Sequence, residues 1–162
     1  MRRCVIAMAG VAVGAGLLSG CGAIDLPLAA VQLGADGKPH ALIRPCGDDR
    51  VQGLSLTGTK AKDGSGPNLS GWHVPDTVRP GNAGFPLFSP LTDWHARPSG
   101  TQTPVADYTY QLGFMKGESN YEYSVTLTFR TADLAKLKPG QVWADDRAMS
   151  LGEFEKLAED SC

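Results

Sequence analysis

At 162 residues the chain holds one domain of ordinary size and room for a single hydrophobic core. Its 15 lysines and arginines face 17 aspartates and glutamates, a net charge of −2, and no basic cluster offsets that balance, which excludes a nucleic-acid partner. The longest apolar run, about 15 residues, falls short of the roughly 20 that cross a bilayer, which excludes a helical span.

That run opens the chain. Arg2 and Arg3 precede it, it extends from Cys4 to Leu18, and the small pair Ser19-Gly20 leads to Cys21. Charged, apolar and small residues in this order read as a secretory signal. Leu18-Ser19-Gly20-Cys21 has the form of a lipobox, in which the cysteine thiol takes a diacylglyceryl group before the peptide is cut in front of it. The expected organisation is a signal over 1–20, a lipidated tether over 21–28 and one extracytoplasmic domain over 29–162. Two acyl chains anchor stably where one does not, so the lipid on Cys21 is the expected membrane contact, on the outer face. Loss of Arg2 and Arg3 moves the net charge from −2 to −4.

Of the four cysteines, Cys4 leaves with the signal and Cys21 carries the lipid, so Cys46 and Cys162 remain. In an oxidising compartment two cysteines point to one disulfide, here fixing the last residue of the chain. A redox pair is disfavoured because no Cys-x-x-Cys spacing lowers a thiol pKa.

After the tether, Val31 and Leu33 flank polar Gln32, and turn residues Ala35 to Pro39 lead into Ala41-Leu42-Ile43, the pattern of a hairpin. Val51, Leu54 and Leu56 predict a third strand in which Gly53 marks a bulge. Lys60 to Asn68 reads as an exposed loop, and Trp72 and Val74 as a strand stopped by Pro75. Five further prolines between Arg79 and Pro104 rule out a long regular element, leaving a short strand at Phe85, Leu87 and Phe88. Tyr108, Tyr110, Leu112 and Phe114 share one face of a strand. Tyr121 to Phe129 alternates apolar and polar residues without a break, which predicts a half-buried partner strand across a loop at Lys116 to Asn120. Thr131 is placed to cap a short helix with Leu134 and Leu137, ended by Pro139-Gly140, and Val142-Trp143 forms a further strand. Ser150 and Glu153 have capping-box spacing, and Leu151, Phe154, Leu157 and Ala158 form the apolar face of a C-terminal helix. The expected fold is mainly β, an antiparallel sandwich or sheet with one short helix and a C-terminal helix that makes the end of the chain α+β.

The lipobox, the run Gly37-Lys38-Pro39-His40-Ala41-Leu42-Ile43-Arg44-Pro45-Cys46, and the run Leu134-Ala135-Lys136-Leu137-Lys138-Pro139-Gly140-Gln141-Val142-Trp143 resemble uncharacterised lipoproteins of high-GC actinobacteria. The resemblance implies a Gram-positive cell envelope and carries no catalytic residue across.

The residues themselves offer few centres for chemistry. His73 and His95 each follow a tryptophan and are the weak candidates for a metal, although they stand 22 residues apart without a helical ligand spacing. They support the alternative of a metal-assisted envelope hydrolase. Asp63-Gly64-Ser65-Gly66 reads as a turn, since a calcium loop needs later ligands and a closing glutamate. The pairs Asp48-Asp49 and Asp145-Asp146 read as solvated turns. No Gly-x-Ser-x-Gly or Ser-x-x-Lys motif marks a nucleophile and no cofactor motif is present, so the expectation is a protein that is not an enzyme. Trp72, Phe85, Phe88 and Trp94 are the remaining candidates. Set in a Pro/Gly-rich stretch, they are expected to line a groove for an envelope glycan or protein, making the domain a binding or interaction module.

Overall fold

A computed structural model describes residues 23–117 and 122–162. The lipobox, Cys21, and the tip of the loop between Lys116 and Tyr123, with Tyr121, lie outside the described residues. In chain order the elements are β1 (Ile24–Asp25), β2 (Ala29–Leu33), β3 (Pro39–Ile43), β4 (Val51–Thr59), β5 (Ser70–His73), β6 (Ala83–Pro86), β7 (Arg97–Gly100), β8 (Thr109–Lys116), β9 (Tyr123–Arg130), α1 (Thr131–Leu134), β10 (Gln141–Ala144), β11 (Arg147–Ser150) and α2 (Leu151–Ser161). One sheet has the order β1-β9-β8-β4-β5-β7, the other β11-β10-β2-β3-β6. Every pairing is antiparallel except that of β1 with β9.

The β8–β9 pair centres the core, as its alternation predicts. Tyr110, Leu112 and Phe114 on β8 and Tyr123, Val125, Leu127 and Phe129 on β9 are all buried, whereas Thr126 and Arg130 are exposed. The inner faces of both sheets merge into one apolar cluster that also takes in Leu28, Val31, Ile43, Val142 and Phe154. Each fully buried side chain of this size contributes roughly 1.5–3 kcal/mol relative to exposure.

Local signals explain the connections. The β4–β8 register shifts between Gln52 and Ser55, and Gly53, at φ 65°, absorbs the extra residue of the expected bulge. Asp145 and Asp146 take φ 49° and 56° in the two-residue link between β10 and β11, the backbone of a tight primed hairpin turn. Ser150 caps α2 in both directions: its Oγ accepts from the Glu153 amide at 3.2 Å while its own amide donates to Glu153 Oε2 at 2.7 Å.

Four expectations need correction. Residues 24–28 are folded, not tether: β1 pairs with β9 and Leu28 is wholly buried, because the Ser124 carbonyl accepts from the Leu26 amide at 2.8 Å and draws the segment onto the sheet. The proline-rich stretch contains β7, whose Pro98 is tolerated because the strand lies at a sheet edge. The cap of α1 is Arg130, one residue early, since the Asp133 carboxylate accepts from the Arg130 amide at 3.0 Å and Thr131 is already helical. On α2, Phe154 and Ala158 are buried but Leu151 is 39% exposed, at the point where the chain turns out of β11.

Candidate functional site

The four aromatic residues singled out from the sequence do converge. On β5 the strand period turns Ser70 and Trp72 inward and His73 outward. Gly71 between them has φ 127°, and a Cβ there would collide with the Leu56 carbonyl of β4, so the close approach of the two backbones requires glycine. The Trp72 indole N–H donates to the Leu87 carbonyl at 2.8 Å, tying β5 in one sheet to the chain leaving β6 in the other. The Phe85 ring stands edge-on to Trp72 at 5.9 Å and to Trp94 at 5.1 Å, and Phe88 stands edge-on to Tyr110 at 5.5 Å.

At the surface the four part: Trp72 and Phe88 line a cleft, and Phe85 and Trp94 do not. Trp72, Phe85 and Trp94 are 1%, 1% and 5% exposed, so their faces are spent on one another and on the core, and only Phe88 is left half-buried. Above them lies a surface cleft of about 350 Å³, lined by Trp72, Phe88, Pro90, Leu91, His95 and Pro98 among others. Leu91 is 40% exposed beside it. Gln102 Nε2 donates to the carbonyls of Gly71 at 2.7 Å and Gly100 at 3.2 Å, fastening the segment after β7 to the strands beside it. The sequence reading missed Leu91, Pro98 and Gln102. The signal for Leu91 was an apolar leucine between Pro90 and Thr92.

His95 lines the cleft in a left-handed conformation, φ 51°, whereas His73 is exposed on β5 in register with Arg97 of β7 and is not among the cleft's lining residues. Among the described residues no group of three or more His, Cys, Asp or Glu is disposed to hold a metal ion. The Asp63 carboxylate accepts from the Ser65 amide at 3.0 Å and hydroxyl at 2.6 Å, closing the turn expected there. Those bonds hold its pKa below the ordinary carboxylate value. Asp49 pairs with Lys116 at 3.5 Å and accepts from the Tyr123 hydroxyl at 3.2 Å.

A second, larger cleft, about 560 Å³, lies where α2 meets the end of β3, with Arg44, Asp48, Asn82, Glu155, Glu159 and Cys162 on its walls. Cys46 and Cys162 form a disulfide there, as the cysteine count predicts. The Arg44 guanidinium is committed to structure: it donates to Glu155 and to the carbonyls of Ile43 at 2.9 Å and Ala83 at 3.1 Å. The hydrogen bonds from Arg44 hold the Glu155 carboxyl below its ordinary pKa. Four of the five guanidinium N–H groups of Arg44 are thus spent within the fold. No family model matches the chain, and comparison with curated proteins and with solved structures found no match.

Proposed function

We propose that the protein is a lipid-anchored binding module on the outer face of a Gram-positive cell membrane, and that the cleft beside Leu91 and Phe88 receives a short apolar segment of an envelope protein. The observation that carries this reading is the cleft itself: Phe88, Pro90, Leu91 and Pro98 present apolar surface around a floor immobilised by Trp72 and Gln102. A sugar ring needs an open aromatic face to stack on, and the tryptophan faces here are buried, which favours a protein segment over a glycan. Location rests on the Leu18-Ser19-Gly20-Cys21 sequence and the resemblance to actinobacterial lipoproteins. The Cys46–Cys162 disulfide supports it, since such bonds persist in oxidising compartments.

The test is retention of envelope proteins from the source organism by the immobilised mature domain, followed by mapping of the retained segment. Leu91→Asp and His95→Ala alter exposed positions on the cleft without touching the core. Loss of the retained protein with Leu91→Asp, at unchanged thermal stability, supports the cleft. Retention unaffected by both substitutions overturns it.

A further inference from the structure

Ile24 is 67% exposed, the most exposed of the large hydrophobic side chains among the described residues. It stands three residues after Cys21. Three residues of extended chain reach at most about 10 Å, little more than the roughly 5–8 Å of headgroup layer in one leaflet. Ile24 is also part of the fold: it pairs with Tyr123, and the Leu26 amide donates to the Ser124 carbonyl at 2.8 Å. A lipid on Cys21 therefore constrains the whole domain and leaves it no long tether on which to turn.

We infer, resting on the lipidated Cys21 of the proposed function, that the domain docks on the lipid surface by the corner where β1 meets the start of β9, with Ile24 entering the interfacial layer. The sheet then decides what faces outward. β1 is one edge of the order β1-β9-β8-β4-β5-β7, and the cleft is built on the other edge, with Trp72 on β5 and Pro98 on β7. Five strand spacings put β7 about 24 Å from β1. Trp72 also registers through Leu56 and Leu112 with Leu127, four residues along β9 from Tyr123, which adds about 13 Å in the strand direction. The membrane corner and the cleft are thus diagonal opposites, and this pose holds the cleft away from the lipid surface. Lys116 Nζ lies 2.6 Å from Glu122 and 3.5 Å from Asp49 and offsets one of those two charges, and with Asp25 beside Ile24 the corner stays acidic, so the pose is one for an uncharged lipid surface.

The experiment uses the full chain, processed in a host that lipidates such signals and reconstituted in phosphatidylcholine nanodiscs containing a gadolinium-chelate lipid. Mass spectrometry of the N-terminal peptide comes first, and absence of a diacylglyceryl group on Cys21 removes both the proposed location and this pose. With the lipid confirmed, NMR relaxation enhancement is read at the amides of Asp25, Leu26 and Gly117 and compared with those of Gly100, Thr101 and Gln102. The expected contrast exceeds about tenfold, given five strand spacings between the two groups and the steep distance dependence of the effect. Insertion of about ten Gly and Ser residues after Gly22 should flatten the contrast while keeping the lipid, because a flexible linker of that length lets the domain turn. Ile24→Ser should reduce it. A uniform or reversed pattern in the lipidated, uninserted protein overturns the pose and leaves the lipid anchor standing.

Discussion

Arg44 and Glu155, 111 residues apart, are joined at both ends of a carboxylate: Nε donates to Oε2 at 2.8 Å and Nη2 to Oε1 at 2.7 Å. The pair fastens α2 to the end of β3, and the guanidinium carbon lies 5.9 Å from the centre of the Phe154 ring. Glu155 is 41% exposed, so water screens much of its charge, whereas the Arg44 side chain is only 15% exposed and also serves two backbone carbonyls. The residues are therefore unequal. Arg44→Ala should cost about 2–3 kcal/mol, since it strands two acceptors and removes packing, and Glu155→Gln should cost less. The Glu155 carboxyl has its pKa lowered by the hydrogen bonds from Arg44, so its contribution is present above the ordinary carboxylate pKa and is lost as pH falls through the depressed value. Urea titrations from pH 6 down to pH 3 should show a shallower loss of stability for Glu155→Gln than for the native chain. Equal slopes would show that the pair contributes nothing to the pH dependence.

The disulfide secures the same helix from its other end. Cys46 and Cys162 are separated by 116 positions, and loop closure over that length predicts about 4–5 kcal/mol from restriction of the unfolded chain. Cys162→Ser should therefore lower stability by as much as about 4 kcal/mol. Buried Phe154 and the Arg44–Glu155 pair should nevertheless hold α2 against the sheet. Denaturant unfolding, with far-ultraviolet circular dichroism of the native baseline, separates the two outcomes: a reduced midpoint at unchanged helix content is expected, and loss of helix content would assign the docking of α2 to the disulfide alone.

Which features were legible follows from how local their causes are. The alternation of Tyr123 to Arg130, the capping pair Ser150 and Glu153, the bulge at Gly53 and the pairing of Cys46 with Cys162 are each dictated by a few residues or by elimination, and each stands as expected. β1 and β7 were not legible, because neither carries a period of its own. β1 is two residues drawn onto β9, and β7 is Arg-Pro-Ser-Gly held beside β5. The burial of three of the aromatic candidates was not legible for a related reason. Composition places Trp72, Phe85 and Trp94 in a proline-rich stretch, but their burial is decided by β6 joining the sheet opposite to β5, a long-range pairing that no local pattern records.

Gly71 makes that dependence testable. A methyl group at this position would meet the Leu56 carbonyl, an atom of the β4 backbone that cannot swing aside, and φ 127° is itself a conformation that alanine avoids. Gly71→Ala should push β5 off β4 and with it the Trp72 ring that bridges the two sheets. The expected cost is about 3 kcal/mol or more, the range of overpacked cores with added backbone strain. Indole fluorescence and thermal unfolding measure it together. Native stability in Gly71→Ala would mean that β4 and β5 separate without consequence for the core.

Tyr123 offers a check at the opposite end of the pH scale. Its ring is 4% exposed and its hydroxyl donates to Asp49 at 3.2 Å while accepting from the Cys46 amide at 3.4 Å. Burial pushes its pKa up to about 12 from the ordinary value of 10.0, and the nearby Asp49 carboxylate adds to the rise. Between those two values the unfolded chain has released this proton and the folded chain retains it, so stability falls as pH rises across the interval. Tyr123→Phe cannot ionise there, and its stability should decline less steeply from pH 10 to pH 12 than that of the native protein. NMR titration of the Tyr123 ring carbon bearing the hydroxyl gives the direct reading: a midpoint near 12 is expected, and a midpoint near 10 would mean that the ring is open to water and the contacts with Asp49 and Cys46 do not persist in solution.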